Sequence, residues 1–351
     1  MRTLIITSMR NEAAFILEWL AYYKLIGVTD FLIYSNDCDD GTDAMLDHLQ
    51  DMGIVTHQPN PRSGKKAIQW KALNRARNHP LTKKSDWIFV TDVDEFLCIH
   101  AGDGTLQDLR AAAPEADAFA LSWRMFGHNN QHAYTDDLMM SQFTQCAPEA
   151  MLWPWRAVQY KTLWRNIPEN LEKLGVHRPH FKDGTQDVRW SDGNGRPLRR
   201  ALGTIIPSVE PRYDLAQINH YALSSVENFL LKADRGKPNH SSDPTDYAYW
   251  IERDFNQIED RRILKFETAV RAQIQEWCTD DRLKAFHETG MEWRQNRIAT
   301  LMQDLDWFYM YSGLVQAGPT QVLPMEIQQK LFSDLIRLKN PNVSKTTTLR
   351  S

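Results

Sequence analysis

Alternation of strand-like and helix-like segments over the first ninety-five residues restricts this chain more than any other feature. Thr3 to Thr7 reads as a strand and ends in the polar run Ser8-Met9-Arg10-Asn11-Glu12. Phe15 or Ile16, Trp19 or Leu20, Tyr23 and Ile26 then fall on one helical face, with Gly27 at a C′ position. Phe31 to Tyr34 is a second strand, followed by the polar cluster from Ser35 to Thr42. Met45, Leu46, Leu49 and Met52 form another helical stripe, stopped by Gly53. Ile54 to Thr56 reads as a short third strand, Lys65 to His79 as a helix, and Trp87 to Thr91 as a fourth strand. This order predicts an α/β fold with a mostly parallel sheet covered by helices on both faces. The polar clusters after the first, second and fourth strands then gather at one sheet edge, where such folds place ligands.

The cluster after the fourth strand is Asp92-Val93-Asp94-Glu95. An unpaired carboxylate inside a strand is too costly to bury, so these side chains belong at the strand's carboxyl-terminal rim. Asp92 and Asp94, at i and i+2, could face one hard cation together, with phosphate oxygens as further ligands. The competing reading is a solvated acidic turn.

Composition narrows the class. With 42% hydrophobic and 25% charged residues and a formal charge of −4, the chain is ordinary for a globular protein. It has no overall basic field, which argues against a nucleic-acid partner. Cys38, Cys98, Cys146 and Cys278 form neither a CxxC pair nor a disulfide-rich pattern, so reduced thiols and a cytoplasmic setting are expected. The amino-terminal apolar run is too short for a secretory signal, and no window approaches the roughly 20 apolar residues of a bilayer span. Among the twelve tryptophans, Trp123, Trp153, Trp155 and Trp190 could stack on a sugar or pack in a core.

Further along, Ala118 to Trp123, Gln159 to Trp164 and Ile218 to Tyr221 read as strands, and Ser225 to Lys232 as a helix. Helical character dominates from Tyr247 to Gly290 and recurs from Trp293 to Leu305 and from Met325 to Leu338. At a nucleotide site, Asn11 and Glu12 could bond to a base or ribose, and Asp39 or Asp40 to a base N–H or ribose hydroxyl. Lys65 and Lys66, at a helix start, could approach a diphosphate. That segment lacks the Gly-Lys-Ser/Thr ending of a triphosphatase loop.

Arg10-Asn11-Glu12, Glu18-Trp19, Gly27-Val28, Asn36 to Thr42 and Thr91-Asp92-Val93-Asp94-Glu95-Phe96 resemble the family-2-like glycosyltransferases of the GT-A fold. The closer resemblance is to a bacterial branch related to family 92. Trp123-Arg124-Met125-Phe126-Gly127, Gly175-Val176-His177-Arg178-Pro179, and His220-Tyr221 with Ser225, Glu227, Phe229 and Lys232 carry it further. The resemblance covers residues 1–235 and implies a Rossmann-like GT-A domain there; the helical-looking stretches beyond it read as a mainly helical extension over 236–351 packed on that domain.

It further implies inverting transfer from a nucleotide sugar, most simply a UDP-sugar, to a glycan or lipid-linked acceptor, with possible peripheral membrane contact. Arg10, Asn11, Glu12, Asp39, Asp40, Lys65, Lys66 and Asp92 would hold the donor. Asp94 would be the main ligand of Mn²⁺ or Mg²⁺, with Asp92 on the ion, the ribose or a water. His220 would complete the metal site, in neutral form, or else pack beside Tyr221. Asp183, Asp187 and Glu149 are the candidate bases for the acceptor hydroxyl. A nucleotidyltransferase is the first alternative, but it calls for a Gly/Arg/Lys-rich loop directly after the first strand, where this chain has Ser8 to Glu12. A non-catalytic carbohydrate-binding protein of the same descent is the second.

Overall fold

A first strand buried on both faces organises the molecule. In a computed structural model describing residues 1–62, 67–183, 188–198, 203–236 and 245–339, β1 (Thr3–Met9) lies parallel between β2 (Asp30–Ser35) and β4 (Trp87–Val90). β3 (Thr56–Pro59) extends the sheet beyond β2, also parallel. Ile5, Ile33 and Phe89 point to one face, against Leu17, Leu20 and Tyr23 of α1 (Ile16–Leu25) and Leu46 of α2 (Thr42–Asp51). Leu4, Ile6, Leu32, Ile88 and Val90 point to the other, against Ala72, Leu73 and Ala76 of α3 (Ile68–Arg77). Alternate residues of a strand face opposite ways, so a strand apolar on both faces needs helices on both sides.

β3 begins at Thr56 rather than Ile54. Gly53, at φ 73°, reverses the chain after α2, and the Ile54 amide bonds back to the Leu49 carbonyl at 2.9 Å, closing the helix end. The third strand therefore starts only after that cap.

A strand that the pattern did not suggest follows the acidic turn at once: β5, Glu95–Ile99. Two further main-sheet strands, β6 (Ala118–Met125) and β7 (Tyr160–Arg165), run antiparallel to each other, and β7 is antiparallel to β4. β8 (Trp190–Asp192), parallel to β6, and β9 (Pro197–Leu198) close that edge. The last strand of this sheet, β10 (Ala216–His220), pairs parallel with the second half of β6 and antiparallel with β5. Its register sets His220 opposite Glu95, and the Tyr221 amide bonds to the Asp94 carbonyl at 2.8 Å. The result is a mixed, largely parallel central sheet flanked by helices.

Helix α4 (Leu106–Ala112) follows β5, and α5 (Val226–Arg235) follows β10. The carboxyl-terminal extension consists of α6 (Glu267–Trp277), α7 (Asp281–Leu301), α8 (Leu305–Ala317) and α9 (Met325–Lys339). Helix α8, absent from the sequence reading, is capped by the Asp304 carboxylate, which accepts from the Asp306 and Trp307 amides. Gly290 lets α7 lie directly on the loop after β1, since a Cβ there would sit 2.5 Å from the Ala13 Cβ. Among the described residues no helix is long and apolar enough to cross a membrane.

Candidate active site

The acidic turn is anchored from below by aromatic side chains of α1. Trp19, Tyr22 and Tyr23 are fully buried, and each donates its polar hydrogen to a carbonyl: Asp92 at 3.1 Å, Leu97 at 2.7 Å and Glu95 at 2.9 Å. Buried Trp and Tyr need such acceptors, so these bonds fix the turn to the helix while the rings fill the core. Glu95 closes the turn from the inside. Its Oε2 accepts from the Thr91 hydroxyl at 2.9 Å and the Asp92 amide at 3.0 Å. Glu95 thus points inward, whereas Asp92 and Asp94 face outward.

Above the turn lies a cleft of about 600 Å³, lined among others by Arg10, Trp70, Asp92, Asp94, Trp123 and His220. Two lysines from distant strand and helix positions answer the carboxylates. Lys161 of β7, wholly enclosed, places Nζ 2.9 Å from Asp92 Oδ2 and 3.1 Å from Glu95 Oε2. Asp92 also accepts from Gln69 Nε2 at 3.2 Å. Lys232, in the last turn of α5, places Nζ 2.7 Å from Asp94 Oδ2. Burial alone would raise the Asp94 carboxyl, but Lys232, with help from Arg235, holds it well below the usual carboxylate range. Lys161 stays protonated, because Asp92 and Glu95 outweigh the burial that would discharge it.

His220 stands 3.9 Å from Asp94 Oδ2 through Nε2. Burial pushes its pKa down to about 3 against the pull of Asp94, so the imidazole is neutral at physiological pH. Its Nδ1 is buried without a hydrogen-bond partner. A carboxylate beside an imidazole is a donor set that fits Mn²⁺ better than Mg²⁺, which favours oxygen ligands, when substrate phosphates and water supply the remaining ligands. Among the described residues there is no group of three or more His, Cys, Asp or Glu side chains able to hold an ion by themselves.

The other residues singled out from sequence have varied surroundings. Arg10 and Glu12 line the cleft; Glu12 pairs with Arg235, and Arg235 also donates to the Arg10 carbonyl at 2.6 Å. Asn11, at φ 57°, accepts from the Asp39 amide at 2.8 Å. Asp39 is 3.8 Å from Arg10. Both Asn11 and Asp39 line a neighbouring cavity of about 440 Å³ that shares Asp94 and Lys232 with the cleft. Asp40 is buried and accepts from the Ala13 amide, the Thr42 amide and the Thr42 hydroxyl, which ties the loop after β1 to the start of α2.

Glu149 stands 3.6 Å from both Arg124 and Arg262, beside the buried Arg124–Asp260 pair and outside the cleft lining. Asp183 is exposed and also outside that lining. Lys65, Lys66 and Asp187 lie outside the described residues. Of the four tryptophans, Trp123 and Trp155 face the cleft, joined by Trp70.

Lys161 escaped the sequence reading, although a lysine inside the apolar run Tyr160 to Trp164 was a signal, since a buried ammonium requires carboxylate partners.

The family model for glycosyltransferase family 92 matches residues 6–231, which includes the acidic turn, β10 and most of α5. The chain belongs to glycosyltransferase family 92. A family 92 protein of Oryza sativa subsp. japonica is 28% identical over 196 residues, covering 53% of this chain and 31% of the relative. One of Ricinus communis is 32% identical over 105 residues, covering 28% of this chain and 17% of the relative. The chain thus spans less than a third of these curated relatives. They are plant proteins, so the matches support the family and not the bacterial branch of the sequence resemblance. The crystal structure of S. aureus TarS 1-349 aligns at a TM-score of 0.27 and 17% identity, covering 47% of each chain, a likeness too slight to carry an argument.

Proposed function

We propose that this family 92 member transfers a sugar, with inversion, from a nucleotide sugar to an acceptor hydroxyl on a glycan or lipid-linked glycan. The nucleotide of choice is UDP. The observation that carries this reading is the placement of His220 Nε2 3.9 Å from Asp94 Oδ2 at the rim of a sheet-edge cleft. A cation held there, Mn²⁺ or Mg²⁺, would offset the negative charge that grows on the departing diphosphate.

The chain's own side chains do the rest. Arg10 and Arg235 bring positive charge to the cleft wall, and Trp70, 39% exposed, offers a face on which a base or sugar can stack. Asp92, held by Lys161 and Gln69, orients the donor by accepting hydrogen bonds rather than by ligating the ion. Trp123 packs against His220 with ring centroids 4.3 Å apart and fixes the imidazole plane.

Calorimetric titration of nucleoside diphosphates, with and without Mn²⁺, into wild type and Asp94→Ala tests the assignment. Metal-dependent binding of one nucleotide that disappears in the variant is the expected result. Binding indifferent to both metal and Asp94 would remove the basis for the proposal.

A further inference from the structure

The two outward carboxylates of the acidic turn are neutralised in unequal ways. Lys161 reaches Asp92 from the sheet floor, has no exposed side-chain surface, and is clamped between Asp92 and Glu95. Withdrawing it from Asp92 would also part it from Glu95, which is entirely buried. Lys232 reaches Asp94 from the end of α5, keeps 22% of its side chain exposed, and borders both the cleft and the neighbouring cavity. Its Nζ also donates to the Ala222 carbonyl at 2.7 Å and stands 5.6 Å from the centre of the Tyr249 ring. Asp92 is therefore permanently paired, and Asp94 carries a partner that can leave.

Lys232 bonds to Oδ2, the same Asp94 oxygen that faces His220. A divalent ion between Asp94 and His220 and an ammonium on that oxygen compete for it, by shared position and by like charge. An incoming diphosphate supplies new acceptors for the displaced ammonium at the same mouth.

We propose that Lys232 is the resident cation of the cleft: it occupies Asp94 until a divalent ion and a diphosphate arrive together, and then passes from the carboxylate to a phosphate oxygen. The inference rests on the donor-site reading above. It makes Lys232 a positioning residue that couples uptake of metal and nucleotide. Metal alone must displace Lys232 without compensation, whereas metal with diphosphate gives Lys232 a new partner. Linkage then requires that each ligand tighten the other by the same factor.

The test is Mn²⁺ binding by calorimetry, with and without saturating UDP, on wild type, Lys232→Met and Lys232→Arg, with melting curves to confirm folding. Wild type should bind Mn²⁺ weakly alone and at least about tenfold more tightly with UDP. Lys232→Met should bind Mn²⁺ alone about tenfold more tightly than wild type and lose most of the coupling to UDP. Lys232→Arg, which keeps the charge, should stay close to wild type. A folded Lys232→Met whose affinity for Mn²⁺ alone is unchanged or weaker, while wild type binds Mn²⁺ and UDP, overturns the inference and leaves the donor site standing. UDP binding that needs no metal in wild type and is lost in Lys232→Met, with no gain in Mn²⁺ affinity, makes Lys232 a permanent phosphate ligand and also overturns it. If neither wild type nor variant binds Mn²⁺ or UDP, the donor-site reading itself fails and the inference falls with it.

Discussion

Lys161 Nζ lies 2.9 Å from Asp92 Oδ2 across 69 residues of chain, with no part of the lysine side chain reaching solvent. A strand that belongs to the sheet floor thereby carries the counter-charge of a turn at the sheet rim. Replacing Lys161 by Met should leave Glu95 and Asp92 uncompensated and destabilise the fold by about 3–5 kcal/mol. Urea denaturation measures this directly, and adding Glu95→Gln should restore part of the loss, because the variants share one network.

Asp94 should respond differently from Asp92. Removing Asp94 frees Lys232, whose partly exposed ammonium can rehydrate, so Asp94→Ala should stay folded while Mn²⁺ affinity drops by more than about tenfold. Removing Asp92 leaves Lys161 enclosed with one carboxylate instead of two, so Asp92→Ala should lower the melting temperature more than Asp94→Ala does. Melting curves and Mn²⁺ titrations on the two variants, run side by side, decide the point.

Gly290 joins the carboxyl-terminal extension to the cleft. A Cβ there would approach Ala13 Cβ to 2.5 Å and the Ala13 carbonyl carbon to 3.2 Å. Neither is the end of a flexible side chain, so Gly290→Ala should push α7 from the loop that carries Arg10, Asn11 and Glu12. Overpacking of this kind costs about 1–3 kcal/mol, against about 1 kcal/mol gained from helix propensity. The expected readout is a lower melting temperature with weakened nucleotide binding; unchanged binding would show that the loop does not depend on α7.

Acid should act through half-buried histidines. Burial, with Arg262 nearby, lowers His100 to about 4, and burial, with Lys161 nearby, lowers His177 to about 4. The unfolded chain protonates each near pH 6.5 but the folded chain only near 4, so protons favour unfolding between those values. Their contribution to stability is complete above pH 6.5 and lost as pH falls toward 4, at roughly 1.4 kcal/mol per pH unit for each group. Glu18 opposes them: burial raises it to about 7 despite the Met139 and Met140 amides, so its share is complete below about 4.5 and lost as pH rises through 7. The informative quantity is therefore the difference between wild type and His100→Gln, whose stability should decline less steeply between pH 6.5 and 4.

The order of strands and helices through β4 was legible because those elements carry their own apolar period: Leu4, Ile5 and Ile6 of β1 can be read without reference to anything distant, whereas β5 and α8 were not. The acidic pair at the end of β4 was legible too, since Asp92 and Asp94 could not have been buried unpaired. Asp40 illustrates what was not. By sequence it is as acidic and as close to a strand end as Asp39, but only the fold sets it against the Ala13 amide and Thr42. Glu149 likewise became a neighbour of Arg124 and Arg262 through pairings of strands far apart in the chain.

The sequence by itself determined a sheet with helices on both faces and a carboxylate pair at its rim, because periodicity and the cost of buried charge act locally. Tertiary structure alone decided which cation meets which carboxylate. Lys161 lies 69 residues from Asp92 and Lys232 lies 138 from Asp94. The register of β7 against β4, and the exit of α5 beside the turn, bring those charges together, and contacts over such separations leave no periodic trace in the chain.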